Sequence, residues 1–268
     1  MTKLSFSDVL AESFRFFFAN IRLFFHLVTV PWIISLGIRV VGSFIVSDDD
    51  FVYAALIEKA LDMLPTTMFL VAWFRVVLLG PQRLDILPGL GWTRRESAFL
   101  LHLIKVGGMT FALVASLMLM LGTLDPGSIG ASADPETARR QAMGAPIAAG
   151  FIVSMLLALR VCYGLAATAV DVPFSPRLSW VHGRGHGWTI VGALFLIFFA
   201  SALVTTVLTL LTLALLHGLS GPGTGASVGA WTVQCLLSYA GTAIAATAQA
   251  VIFRTLLGWR EGTALKPA

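Results

Sequence analysis

The chain has 268 residues, 57% of them apolar and only 12% charged, against about 25% charged in a soluble domain. That leaves too little polar surface to cover a water-soluble particle, so a soluble globular protein is excluded and lipid must solvate the surplus apolar surface. The net charge of +4 does not point to nucleic acid, because the basic residues sit in short segments beside apolar runs, with no basic stripe interleaved with aromatics.

Residues 1–22 read as an interfacial amphipathic helix. Phe6, Val9, Leu10, Phe14, Phe17, Phe18 and Ile21 recur at helical spacing among Ser5, Asp8, Glu12, Arg15 and Arg22. Asp8 and Glu12 stand where a signal peptide would be basic, and no small-residue cleavage site follows, so this segment is expected to be retained. It leads directly into a first span, about 23–46. Pro31 is a site for a kink in that span. Arg39 lies within it and is expected to pair with an acidic residue such as Asp62.

After the acidic turn Ser47–Asp50, a long helix from about Phe51 carries the second span, about 63–79. Pro81, Pro88 and three glycines break the connection 80–95. Thr93 with Glu96 forms a capping box that opens the third span, about 98–122. Residues 106–124 carry no charge over 19 positions, enough to cross a bilayer. Residues 123–140 read as the longest exposed loop. The fourth span, about 141–163, ends just beyond Arg160. Ser175 and Pro176 suit the start of a short interfacial helix. Between Arg184 and Arg254 lie 69 residues without Asp, Glu, Lys or Arg, too long for one crossing at 1.5 Å per residue. The glycine-rich stretch 218–225 divides them into a fifth span, about 188–217, and a sixth, about 228–253.

Of the 18 basic residues, 14 fall at the termini, in the 80–105 and 171–187 connections and at the adjoining helix ends. Both termini are therefore expected on the cytoplasmic side of the membrane. The even-numbered spans end alike: Arg75 is followed by Gly80, Arg160 by Gly164 and Arg254 by Gly258. The pattern predicts an all-α, polytopic bundle, a single membrane domain over 1–268, in which six spans form three tandem hairpins of one orientation with interfacial helices. Small residues at Ser238, Thr242, Ala246 and Ala250, beside Gly241 and Ala245, place the sixth span centrally.

Residues 11–25 followed by 30–33, residues 159–188 and residues 248–258 together resemble bacterial membrane proteins related to the glycerophosphodiester phosphodiesterase membrane domain and the YciC-like uncharacterised families. The resemblance implies a multi-helix inner-membrane protein. It carries no catalytic residues onto this chain, whose length is used by the spans.

Arg75, Arg160 and Arg254 are the candidate contacts for lipid headgroups or another anion, as a ring of positive charge at the cytoplasmic face. The same residues equally serve as depth anchors that snorkel to the interface. Ser201, Thr205, Thr209 and Thr212 form a hydroxyl row on the fifth span and, with Gln249 on the sixth, a candidate polar path; such hydroxyls also bond to their own helix. His182 and His186 have an i, i+4 spacing, but glycines surround them and no further ligand is near, so no metal site is expected. His26, His102 and His217 read only as helix-end residues. Cys162 and Cys235 fall at different depths and are expected to be unpaired. No nucleophile with a base, phosphate loop or cofactor motif is present. The expectation is a non-enzymatic inner-membrane protein that organises or regulates envelope components, with membrane lipids as partners and homo-oligomerisation open. The alternative is a small permease for a lipid or amphiphilic solute.

Overall fold

The computed structural model describes residues 4–45, 51–81, 92–122, 156, 158–172, 176–221 and 224–260. Among these the chain is all-helical. In chain order the helices are α1 (Phe6–Ala19), α2 (Ile21–Ile45), α3 (Phe51–Leu79), α4 (Arg94–Gly122), α5 (Ala158–Ala169), α6 (Pro176–His182), α7 (Gly187–Ser220) and α8 (Thr224–Leu257). Four stretches, Ile21–Phe44, Ile57–Leu79, Gly187–Leu219 and Gly225–Leu257, are long and apolar enough to cross a membrane, and the chain is an integral membrane protein on that ground. The third expected span falls within α4, a helix of 29 residues. The loop 123–140 and most of the fourth expected span, 141–163, lie outside the described residues.

The helix starts and stops follow local chemistry. At the start of α4 the Glu96 carboxylate accepts the Thr93 backbone N–H at 2.7 Å and the Thr93 hydroxyl, while Thr93 Oγ1 accepts the Arg95 N–H at 3.2 Å. This is the expected capping box. The break between α7 and α8 falls within the glycine-rich stretch, at Gly221, whose positive φ of 76° suits glycine. α1 does not run straight into α2. A turn at Asn20 intervenes, where the side-chain amide donates to the Phe16 carbonyl at 2.9 Å. The three arginine-bearing helices also end differently. Gly80 and Gly258 take positive φ just past α3 and α8, whereas Gly164 has φ −65° and closes a 3-10 turn, Cys162–Gly164, within α5. That helix continues to Ala169 and turns at Asp171, φ 60°, where the Val172 N–H reaches the Ala167 carbonyl at 3.0 Å.

α8 is the central helix. Of its most apolar stretch, 72% is buried, against 11% for α7. Residues 243–253 of α8 are buried without a break. Alanines and a glycine on α8 let neighbours approach closely: a Cβ on Gly241 would lie 2.7 Å from that of Ser201 on α7. Trp73 of α3 locks the other side. It is fully buried, and its indole N–H lies 2.9 Å from the Ala243 carbonyl and 3.0 Å from Thr247 Oγ1. Phe16, Phe17, Phe24 and Phe69 surround it. Such a cluster joins α1, α2, α3 and α8 through ring packing with two polar anchors. α1 thus turns Val9, Ser13 and Phe17 inward and leaves Phe6, Phe14 and Phe18 exposed.

Candidate functional site

The three arginines singled out from the sequence have separate partners. Arg75 lies 3.7 Å from an oxygen of Asp171 and 3.5 Å from the Ala169 carbonyl. Arg160 stacks over the Trp180 ring, 3.8 Å from its centre, and lies against Gly187. Arg254 forms an ion pair with Glu12 and so fastens α1 to the end of α8. Each arginine joins two helices, which is the work of a structural tie.

The hydroxyl row faces the seam between α7 and α8. Ser201, Thr205, Thr209 and Thr212 are all half-buried. Thr212 donates to the Leu208 carbonyl of its own helix at 2.7 Å, and Thr209 Oγ1 is enclosed without a partner among the described residues. The two helices run antiparallel, with Ser201 against Gly241 and Leu216 against Gly229. Gln249, buried on α8, therefore lies about 12 Å from Gly241 along the axis, in the direction away from Thr205, Thr209 and Thr212. The structure does not bring it to the row.

A basic cleft forms where the charge pattern marked only topology. The first three turns of α4 pack beside the end of α5. Arg94, Ala98, Leu101 and Lys105 recur at spacings of three and four, so they share one helix face. With Arg95, His102, Thr168 and Asp171 they line a cleft of about 450 Å³. Among the described residues lining it Asp171 is the only carboxylate, and it is already engaged. Arg95 approaches both its oxygens, Nε at 3.0 and 2.9 Å and a terminal nitrogen at 2.8 Å, while Arg75 stands behind. Three cations to one carboxylate leave the cleft positive. Arg94 and Lys105 are exposed.

His102 sets the back of this cleft. It is 8% exposed; Nδ1 shares a hydrogen bond of 3.1 Å with Thr168 Oγ1, and Nε2 is enclosed without a partner among the described residues. A buried ring nitrogen left without a bond costs free energy unless a ligand or water meets it. Chemically the arrangement suits an anion with several oxygens: two exposed cations, Arg94 and Lys105, with a neutral donor or acceptor behind them. The signal that could have found it is the 94, 98, 101–102, 105 spacing, with His102 inside it rather than at a helix end.

At the other end of the bundle Arg39 is paired, though not with Asp62. Its Nε donates to Glu58 at 3.1 Å and a terminal nitrogen donates to Gln234 at 2.6 Å. Glu58 lies one turn before Asp62 on α3. His182 closes α6 and His186 precedes α7, with a turn between them. Cys162 and Cys235 are free and buried. Among the described residues no group of three or more His, Cys, Asp and Glu side chains is placed to hold a metal ion. No family model matches the chain, and no curated protein or solved structure matches it either.

Proposed function

We propose that this chain is a non-enzymatic, six-span protein of a bacterial inner membrane that binds phospholipid headgroup phosphates at its cytoplasmic face, as an organising or regulatory component of the envelope. The observation that carries the reading is the basic cleft, where among the described residues Arg94, Arg95 and Lys105 line a pocket whose one carboxylate is already paired and His102 Nε2 has no partner. Its place along α4 fits a headgroup. The charged turns come first, and the uncharged run begins at Val106, so the cleft meets lipid where headgroup gives way to acyl chain. Four apolar helices are long enough to cross; the reading adds α4 and the uncharged sequence run before Arg160 as two further crossings, with basic ends on the cytoplasmic side. In this reading Arg160 and Arg254 brace the bundle, and the headgroup contact passes to the α4 cations. A permease with a path along α7 draws less support, since its hydroxyls are turned to a neighbouring helix and Gln249 lies off their line.

The test is the thermal melting of the purified protein in detergent on addition of short-chain phosphatidylglycerol. At about a hundredfold excess over Kd, binding adds about 2.7 kcal/mol of apparent stability. The wild type should show the corresponding rise in midpoint, and Arg94→Ala with Lys105→Ala should lose it. An equal rise in the double variant would refute the cleft as the site.

A further inference from the structure

A second polar cavity lies at the opposite end of the bundle, and nothing in the headgroup-phosphate reading uses it. It has a volume of about 210 Å³ and is enclosed by α2, α3 and α8. Asp62 on its wall and Arg75 beside the basic cleft are 13 positions apart on α3, about 20 Å along the axis. This is room for about seven waters at 30 Å³ each, or for one small polar molecule.

The charges around it are unevenly satisfied. Arg39 is already neutralised by Glu58 and bonded to Gln234. What remains is a carboxylate and an ammonium, Asp62 and Lys59, both lining the cavity. Asp62 Oδ1 is enclosed and has no hydrogen-bond partner among the described residues. A carboxylate oxygen shielded from water demands a donor, and a charged one meets the demand best. Lys59 is exposed and stands at i−3 from Asp62, so the two Cβ atoms are about 5–6 Å apart on one helix face. Deeper in, Ser35 and Tyr239 share a hydrogen bond of 2.8 Å, which offers a neutral hydroxyl floor.

We infer that this cavity binds a small zwitterion, its primary ammonium on Asp62 and its acidic group at Lys59. The pairing requires both signs within a few ångströms, which a short aminoethyl phosphate or amino acid supplies and a simple anion or cation does not. The hydroxyl floor suits a polar rather than an acyl group, so a lipid would insert its headgroup only. An ethanolamine phosphate carries this chemistry either as the headgroup of phosphatidylethanolamine or as a free solute.

The experiment places the full-length protein in nanodiscs of phosphatidylglycerol alone, or of phosphatidylglycerol with phosphatidylethanolamine, and reads bound lipid by native mass spectrometry. Free phosphoethanolamine is titrated into the phosphatidylglycerol discs in parallel, with the melting midpoint of the protein as the readout. Retention of phosphatidylethanolamine by the wild type, weakened about tenfold or more in Asp62→Asn and unchanged in Arg94→Ala with Lys105→Ala, supports the headgroup source. A rise in midpoint with free phosphoethanolamine, abolished in Asp62→Asn, supports the free zwitterion. Lys59→Gln, at an exposed position, provides the same comparison if Asp62→Asn does not fold, and should weaken binding in the same arm. Absence of both signals in the wild type, or equal signals in the wild type and the Asp62 and Lys59 variants, overturns the inference and leaves the basic cleft untouched.

Discussion

Arg254 and Arg94 are both arginines at helix ends, yet the fold treats them oppositely. Arg254 meets Glu12 across a separation of 242 residues, and Arg160 is held between the Trp180 ring and the start of α7. Arg254 thus meets a carboxylate and Arg160 an aromatic face, with Arg160 Nε enclosed and without a hydrogen-bond partner among the described residues. Arg94 and Lys105 stand exposed on one face of α4, beside an aspartate that Arg95 has already claimed. The difference teaches that an arginine at a membrane helix end is a structural tie where a neighbouring helix offers a partner. In the proposed reading it becomes a binding group where the local carboxylates are outnumbered.

Three variants break or sharpen this contrast. The largest effect is expected from reversing the open charges. Arg94→Glu with Lys105→Glu puts like charge against a phosphate and should weaken phosphatidylglycerol binding by about a hundredfold or more, read by titration in detergent, with little change in the melting midpoint of the free protein. Next is Gly187→Val. A Cβ at Gly187 would meet the Arg160 guanidinium at 3.3 Å, and a branched side chain there would push it off the Trp180 ring, at a cost of about 0.5–1 kcal/mol. Calorimetry should show that loss while lipid binding holds. The smallest effect is Arg254→Gln. Both partners of that ion pair are substantially exposed, so its removal should cost about 0.2–1 kcal/mol and leave lipid binding within about twofold of the wild type. A strong loss of lipid in Arg254→Gln, without unfolding, would erase the distinction between tied and open arginines.

Much of the architecture was legible in the sequence because bilayer physics acts on composition. Long uncharged runs, the Thr93–Glu96 box and the glycines at 218–225 mark helix bounds by local rules, and the described helices respect them. The small-residue face of α8 also announced its central place, since only small side chains let several helices crowd one axis. Partnerships were not legible. Nothing local distinguishes Glu58 from Asp62 as the mate of Arg39, one turn apart on the same helix, until α8 delivers Gln234. The likeness of the three arginine–glycine endings also misled at Gly164. A glycine can cap a helix but need not, and α5 continues past it to Asp171. That extension carries Asp171 and Thr168 to α4 and so builds the cleft, which a helix ending at Gly164 would not have done. His102 was invisible for the same reason: its meaning depends on Thr168, 66 residues away.

The central claim is that headgroup phosphate is held by the α4 cations and not by the structural arginines. Native mass spectrometry of the protein released from phosphatidylglycerol nanodiscs tests it most directly, comparing wild type, Arg94→Ala with Lys105→Ala, Arg160→Ala and Arg254→Gln. Bound phosphatidylglycerol should persist in the wild type and in both single variants and vanish in the α4 double variant. Equal retention in the double variant, or loss in Arg160→Ala or Arg254→Gln with the fold intact, would contradict it.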